Sequence, residues 1–130
     1  DYAHLPSEVE AALAAAAGGG WGRVVAVFQP HRYSRTQALW AGFADSFGDA
    51  DHLVLTGIYS AGEAPRPGVT GRLLADAVLA AHPDTDLAYC ETLADVADHL
   101  DAVLRPGDLC LTLGAGDLTG MAATMLERWS

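Results

Sequence analysis

Short apolar runs alternate along this chain with longer segments of helical spacing. The first run, RVVAVF at 23–28, is rich in valine and shows no polar alternation, which is typical of a strand buried on both faces. Similar runs occupy 52–59, 86–90 and 109–116, and a segment with a helical pattern follows each of them. This alternation predicts βαβ units, and right-handed crossovers place helices on both faces of a mostly parallel sheet. We therefore predict a Rossmann-like three-layer α/β sandwich with about five or six strands.

The length and composition fit one globular domain. The chain has 130 residues, of which 51% are hydrophobic, and no linker or repeat divides it, so we predict a single domain spanning 1–130. No stretch approaches the roughly 18 apolar residues of a membrane span, and the first residues lack the pattern of a secretory signal. Cys90 and Cys110 each end an apolar run without CxxC spacing, which predicts buried thiols in neighbouring strands and no disulfide. These features predict a cytoplasmic protein.

The charge balance restricts the classes of partner. The formal net charge is −10, whereas nucleic acid and anionic membrane surfaces are bound by basic patches. We therefore expect no nucleic-acid partner and no membrane partner. The chain also contains no lysine, and a P-loop needs a lysine for the nucleotide phosphates. Any ATP chemistry must therefore be completed by another domain.

Three loops rich in glycine and polar residues follow predicted strands. They are QPHRYSR at 29–35, TGIYSAGEAPRPG at 56–68 and GAGD at 114–117. In parallel α/β sheets, ligands bind in the crevice outside the carboxyl ends of the strands. We therefore expect these loops to converge at one edge of the sheet and to form the ligand site there.

The first loop carries the strongest indication of a site. Arg32 and Arg35 stand three positions apart beside His31, a spacing that brings both guanidinium groups onto one face if a helix begins here. Planar guanidinium groups suit bidentate pairing with a carboxylate or phosphate, and a helix N-terminus adds partial positive charge. The residues alone leave a second interpretation equally open, in which this is a solvated loop whose arginines pair with nearby acids.

The other candidates are weaker on their own. Tyr2 and His4 precede a helix, where they could orient an amine or simply belong to the helix cap. Gly116 and Asp117 lie in a strand-to-helix turn, which either lets backbone N–H groups bind an anion or is only a tight corner. Glu63 could cap a helix or pair with an arginine. The remaining histidines have no ligand spacing, so no metal site is predicted.

Four segments of the chain, taken in order, match the motifs of one enzyme family. DYAHLPSEV at 1–9 is similar to D-D-Y-G-H-H-P-T-E, with Leu5 in place of the second histidine, and FQPHRYSRT at 28–36 is similar to F-Q-P-H-R-Y-[ST]-R-T. YSAGE at 59–63 and GDLCLTLGAGD at 107–117 are similar to Y-x-A-G-E and G-D-x-x-[LV]-x-x-G-A-G-D. In these motifs the chain resembles the third, C-terminal domain of the Mur ligases, and among them the branch that adds L-alanine.

The resemblance implies a reaction and a division of labour between domains. Ligases of this branch use ATP and Mg²⁺ to phosphorylate the lactyl carboxylate of UDP-N-acetylmuramate, and the amine of L-alanine attacks the acyl phosphate to form an amide. ATP and Mg²⁺ would be held mainly by a central ATPase domain outside this sequence, so we expect neither to bind this chain alone, and the chain alone to be inactive. The third domain would close over the central one and exclude water from the acyl phosphate. Gly116 and Asp117 would border the reacting groups.

Further residue roles follow from the same resemblance. Arg32 and Arg35 would hold the carboxylate of L-alanine, and His31 and Tyr2 would position that end of the product. His4 would lie near the attacking amine, as a positioning group or as a base. Orientation of the two reactants is the contribution expected from such a domain.

Two alternatives stay open at the level of sequence. A sister ligase that recycles murein peptides shares this domain but takes a peptide instead of L-alanine, and so needs a more open pocket. A non-catalytic Rossmann-like module that binds a small anion would keep the arginine residues without the ligase reaction. An upstream nucleotide-binding domain in the same gene would favour a ligase over the module.

Overall fold

A parallel β-sheet forms the centre of the computed structural model, which describes residues 1–129. Its strands are β1 (Arg23–Phe28), β2 (His52–Thr56), β3 (Leu87–Cys90) and β4 (Asp108–Leu113). The order across the sheet is β3-β2-β1-β4, and all neighbouring strands pair in parallel. The helices are α1 (Pro6–Ala17), α2 (Tyr33–Phe43), α3 (Gly71–Ala81), α4 (Leu93–Val103) and α5 (Met121–Arg128), with a 3₁₀ turn at Asp117–Gly120. None of the described helices is long and apolar enough to cross a lipid bilayer.

The central strand β1 separates two layers of helices. Alternate β1 residues, Val24, Ala26 and Phe28, pack in one core with residues of α1, α2 and α3. Val25 and Val27 point the other way and pack with residues of α4, α5 and the 3₁₀ turn. Both sets are buried, which explains why every position from Val24 to Phe28 is apolar. The predicted three-layer α/β sandwich is confirmed.

The sheet is smaller than predicted. Residues 1–129 contain four strands, not five or six. The sequence offers four apolar runs, one for each observed strand. The segments between these runs form helices or loops rich in glycine and proline, so none of them can supply another strand.

The amino-terminal residue lies against the outer edge of β4. The backbone nitrogen of Asp1 donates to the carbonyl oxygen of Thr112 at 3.0 Å, and the carbonyl oxygen of Asp1 accepts from the amide of Gly114 at 3.0 Å. This is the bonding pattern of a parallel strand pair. The segment that follows, which includes Tyr2 and His4, is therefore attached to the carboxyl end of β4.

The two cysteines are free thiols on different strands. Cys90 ends β3 and Cys110 lies in β4, and these strands form opposite edges of the sheet, so the prediction that they occupy neighbouring strands was wrong. Burial raises the pKa of both thiols, that of Cys110 to about 11. The position of β4 depends on long-range pairing with β1, which the spacing of apolar runs does not specify.

Candidate functional site

Three loops meet at the carboxyl edge of the sheet, as predicted. We call residues 29–35 the arginine loop, residues 57–63 the tyrosine loop and residues 114–117 the glycine turn. They follow β1, β2 and β4, and β1 pairs with both other strands. Because parallel strands end at the same edge, this order brings the three loops together at the crevice where such sheets bind ligands.

The arginine loop and the tyrosine loop are joined by main-chain hydrogen bonds on both sides of His31. The amide of Tyr59 donates to the carbonyl of Pro30 at 2.9 Å, and the amide of Arg32 donates to the carbonyl of Tyr59 at 2.8 Å. These bonds form an isolated parallel bridge between His31 and Tyr59. The two rings also stack, with centroids 5.5 Å apart and an interplanar angle of 22°. His31 is therefore held by both its backbone and its ring.

His31 in turn contacts the guanidinium group of Arg35. A terminal nitrogen of Arg35 lies 3.2 Å from Nδ1 of His31, and because a guanidinium group only donates, Nδ1 is the acceptor. Burial lowers the pKa of His31, and the charges of Arg35, Arg32 and His4 lower it further, against an opposing effect of Glu63. A neutral His31 with its proton on Nε2 is therefore the form that the surroundings favour.

Arg32 has an unusual backbone conformation. Its φ is 69° and its ψ is 141°, close to a region that is almost restricted to glycine and that strains other residues by about 1–3 kcal/mol. The conformation is held on both sides, by the bond of its amide to Tyr59 and by the amide and hydroxyl of Thr36, which donate to its carbonyl at 3.1 and 2.9 Å. The Arg32 side chain is exposed. The strained backbone and the exposure together make Arg32 a candidate site residue.

The N-terminus of α2 is occupied by a carboxylate of the same chain. Glu63 accepts from the amide of Ser34 at 3.0 Å and from its hydroxyl at 2.6 Å, and these bonds lower the pKa of Glu63. Glu63 therefore acts as a cap, one of the two roles considered for it. Since the helix N-terminus already has its anion, an external anion would have to bind the guanidinium groups instead of the helix dipole.

The amino-terminal segment brings a second histidine to the same edge. The rings of His4 and His31 have centroids 6.2 Å apart. Nδ1 of His4 donates to the carbonyl of Tyr2 at 2.9 Å and lies 3.7 Å from the carboxylate of Glu8, so in the neutral ring Nε2 carries the lone pair. The Tyr2 side chain is 70% exposed and stands outside this packed group.

The glycine turn is built around Gln29 and Tyr59. Gln29 is buried; its amide nitrogen donates to a carboxylate oxygen of Asp117 at 2.6 Å, and its oxygen accepts from the amide of Leu118 at 3.2 Å. A Cβ atom on Gly116 would lie 2.5 Å from Cγ of Tyr59 and 2.8 Å from the Gln29 side-chain oxygen. Gly116 is thus required by the close approach of a neighbouring loop.

Sequence reasoning did not assign Gln29 or Tyr59 a place among the site residues. Gln29 had a usable signal, since it is a polar residue directly after five buried positions of β1. Tyr59 also had one, since it is the tyrosine of the segment that matches Y-x-A-G-E, but its contacts join loops that are far apart in the sequence.

A cleft of about 480 Å³ opens beside these loops. Gln29, Tyr59 and Asp117 line one part of it, and Glu91 and Thr92 line the part nearer β3. A slightly larger cavity, about 530 Å³, lies at the opposite edge of the sheet beside Asp51, His82 and Asp86. The larger cavity is remote from the arginine loop. The cleft borders the candidate site on the side of the tyrosine loop and the glycine turn, and its lining does not include His31, Arg32 or Arg35.

A family model described as the Mur ligase, glutamate ligase domain matches residues 1–116. The chain belongs to the Mur ligase family. Its motifs are those from which the resemblance was predicted, and that prediction is confirmed. The three loops at the carboxyl edge are thus the corresponding edge of a Mur ligase C-terminal domain.

Relatives of this Mur ligase domain carry a consistent name. It is 53% identical to the UDP-N-acetylmuramate–L-alanine ligase of Syntrophotalea carbinolica and 55% identical to that of Gloeobacter violaceus, in each case over 98% of this chain. The chain spans only 28% and 27% of the lengths of these relatives. It therefore corresponds to a part of a much longer enzyme.

Solved structures show the same fold. The UDP-N-acetylmuramate–alanine ligase of Thermotoga maritima superposes with a TM-score of 0.74 at 25% identity, over 99% of this chain and 25% of that one. A murein peptide ligase from Psychrobacter arcticus gives a TM-score of 0.75 at 20% identity, over 98% of this chain and 26% of that one. The second match shows the fold alone and does not distinguish the acceptor substrates.

Proposed function

We propose that this chain is the C-terminal, amino-acid-binding domain of an ATP-dependent UDP-N-acetylmuramate–L-alanine ligase of peptidoglycan synthesis. The observation that carries the proposal is the grouping of His31, Arg32 and Arg35 at the ligand edge of a chain whose net charge is −10. A small carboxylate is the ligand that such a group suits. The names of the two bacterial relatives support L-alanine as that ligand.

The carboxylate of L-alanine would bind between the two guanidinium groups. Arg35 is already directed by its contact with His31, and the exposed Arg32 is free to reach the ligand from the strained start of α2. The Nε2–H of a neutral His31 supplies a further donor. Tyr2, exposed at the mouth of this group, would close over the same end of the product.

The amine of L-alanine would lie toward His4 and the glycine turn. The Nε2 lone pair of His4 is able to accept a hydrogen bond or a proton from the amine. Asp117, fixed by Gln29, and the backbone at Gly116 would border the reacting groups. Holding the amine in line with the acyl phosphate is the main contribution of these residues.

ATP and Mg²⁺ would be supplied mainly by the central domain of the longer enzyme. This chain has no lysine for nucleotide phosphates, and within residues 1–129 no three His, Cys, Asp or Glu side chains group to hold a metal ion. The residues present thus do not fit a nucleotide–metal site of their own. We accordingly propose that the chain alone is inactive and that it works, in the cytoplasm, by closing over the domain that activates UDP-N-acetylmuramate.

The proposal is tested by substituting Arg35 in the longer ligase that contains this chain. Loss of a charge-assisted hydrogen bond costs about 1.5–3 kcal/mol, so Arg35→Ala should raise the KM for L-alanine about 10- to 100-fold. Arg35→Lys should recover only part of this loss, because an ammonium group cannot form the bidentate pair. The KM values for ATP and UDP-N-acetylmuramate should stay within about twofold.

The matched control is Arg105→Ala, which removes an exposed arginine from the turn before β4, at the opposite edge of the sheet. It should leave all three KM values unchanged. An unchanged KM for L-alanine in Arg35→Ala would exclude the proposed carboxylate site. Faster turnover with an L-alanyl peptide than with L-alanine would identify the peptide-recycling ligase, and no amide product with either acceptor would favour the non-catalytic module.

A further inference from the structure

Tyr59 contacts both of the loops that the proposed site needs. Its main chain forms the two hydrogen bonds that enclose His31, and its ring stacks on the His31 ring. The Tyr59 ring also approaches the backbone of Gly116 so closely that a Cβ atom there would overlap it, at 2.5 and 2.6 Å from two ring carbons. The ring is therefore a spacer between the arginine loop and the glycine turn.

The spacer lies where the two ends of a bound amino acid would be recognised. His31, on which the ring stacks, contacts Arg35. Gly116, which the ring also contacts, is followed directly by Asp117, which Gln29 holds from the end of β1. The Tyr59 ring thus links the loop that carries the guanidinium groups to the glycine turn.

The contacts of Tyr59 are those of its ring and its backbone. Within residues 1–129 its hydroxyl forms no hydrogen bond, whereas its ring contacts both the His31 ring and the backbone of Gly116. A side chain that bound the substrate through its hydroxyl would need that oxygen, but a spacer needs only the ring. Tyr59→Phe and Tyr59→Ala therefore separate the two roles.

We propose that Tyr59 is a positioning residue for the acceptor amino acid, and that it acts by fixing the arginine loop against the glycine turn. This rests on the proposed function, because it takes the two loops to recognise opposite ends of L-alanine. Misplacement of about 1 Å between reacting groups can cost two orders of magnitude in rate. This role therefore predicts that loss of the ring changes the KM for L-alanine and leaves the KM values for ATP and UDP-N-acetylmuramate unchanged.

The test is a double-mutant cycle in the longer ligase, with the KM and kcat of each substrate as the readout. Tyr59→Phe should keep the KM for L-alanine within about twofold. Tyr59→Ala, which removes the ring, and Gly116→Ala, which displaces it, should each raise that KM by about tenfold, with the KM for ATP unchanged. The effects in the double variant should be less than additive, because without the ring the added methyl group displaces only the Gln29 side-chain oxygen.

Gly120→Ala is the matched control for Gly116→Ala, since a Cβ atom at Gly120 meets nothing within 4 Å. NMR supplies a readout that does not depend on catalysis: the His31 ring protons should lose their shielding by Tyr59 in Tyr59→Ala and in Gly116→Ala. Thermal unfolding of each variant identifies any that fails to fold, and the comparison of Gly116→Ala with Gly120→Ala keeps the test decisive if Tyr59→Ala does not fold.

The outcomes separate this proposal from the proposed function. If Arg35→Ala raises the KM for L-alanine but Tyr59→Ala does not, the positioning role is wrong and the carboxylate site stands. If neither variant changes it, the proposed function itself is wrong. Additive effects in the cycle, or a tenfold loss in Tyr59→Phe, would contradict a role of the ring as a spacer.

Discussion

Nδ1 of His31 accepts a hydrogen bond from the guanidinium group of Arg35 across 3.2 Å. The bond requires an unprotonated Nδ1, and burial together with neighbouring positive charge lowers the pKa of His31 from its ordinary value of 6.5. The histidine of the arginine loop is therefore suited to orient an arginine while it stays neutral. Its state of protonation links solvent pH to the proposed carboxylate site.

We expect asparagine and glutamine to differ as replacements for His31. The amide oxygen of asparagine can take the place of Nδ1, whereas that of glutamine reaches the place of Nε2. His31→Asn should therefore keep the KM for L-alanine within about threefold, and His31→Gln should raise it about tenfold. In the wild type this KM should rise as pH falls through the pKa of His31, which lies below the ordinary value of 6.5, and in His31→Asn that rise should be smaller. A greater loss in His31→Asn than in His31→Gln would contradict the assignment of Nδ1 as the acceptor.

A second pair of histidines should govern stability in acid. Nε2 of the buried His52 lies 2.8 Å from Nε2 of His99, and Nδ1 of His52 lies 3.1 Å from a carboxylate oxygen of Asp86. Burial, and then the charge of His52, lowers the pKa of His99, against an opposing effect of Asp86. Below the ordinary value of 6.5 the unfolded chain then binds more protons than the folded one, so the free energy of unfolding falls as pH decreases and levels off below the folded-state pKa.

Urea unfolding at pH 7.5 and pH 5 measures this effect. His99→Gln, which keeps an amide donor without the titration, should lose less stability between the two pH values than the wild type. The control is His82→Gln at the same edge of the sheet, where the histidine is exposed and contacts Asp45. If the free energy of unfolding falls equally between the two pH values in the wild type and in His99→Gln, His99 does not contribute to the loss of stability in acid.

Gly71 should tolerate no side chain. It begins α3 where the helix crosses β2, and a Cβ atom there would overlap the carbonyl oxygen of Thr56 and lie 3.0 Å from the Tyr89 ring. Because a backbone carbonyl in a sheet cannot move aside, Gly71→Ala should destabilise the fold by about 3 kcal/mol. Gly48→Ala is the control, since a Cβ atom there meets nothing within 4 Å. Chemical denaturation of both variants would refute this packing if their midpoints coincided.

Arg32→Gly should separate stability from binding. Glycine adopts the observed φ of 69° without strain, so the variant should be more stable than Arg32→Ala by about 1 kcal/mol. Both variants should raise the KM for L-alanine in the longer ligase, because both lose the guanidinium group. A glycine variant less stable than the alanine variant would show that the backbone at this position is not strained.

The sequence was sufficient for the architecture because the decisive patterns are local. Continuous apolar runs identified every strand of the sheet, and the topology of parallel sheets placed the arginine loop and the glycine turn at one edge. The predicted number of strands was too high, because within residues 1–129 only the four apolar runs form strands of the sheet. The placement of Cys110 away from Cys90 depends on which strands pair, and that is decided by packing across the whole chain.

The contacts within the site could not be read in the same way. Tyr59 reaches His31 and Gly116 across long separations in the sequence, and no periodicity links these positions. The backbone conformation of Arg32 was equally hidden, because arginine is not a residue that signals a positive φ. In both cases the geometry is imposed by neighbouring loops.

The two histidine groups lie at opposite ends of the sheet. His31 follows β1 at the carboxyl edge, and His52 begins β2 at the amino edge. β2 has 5 residues, which at about 3.3 Å each places the groups roughly 17 Å apart. Salt in the cell largely screens charges from each other at this distance. Selection could therefore adapt the acid tolerance of this domain to a new habitat without altering its affinity for the amino acid.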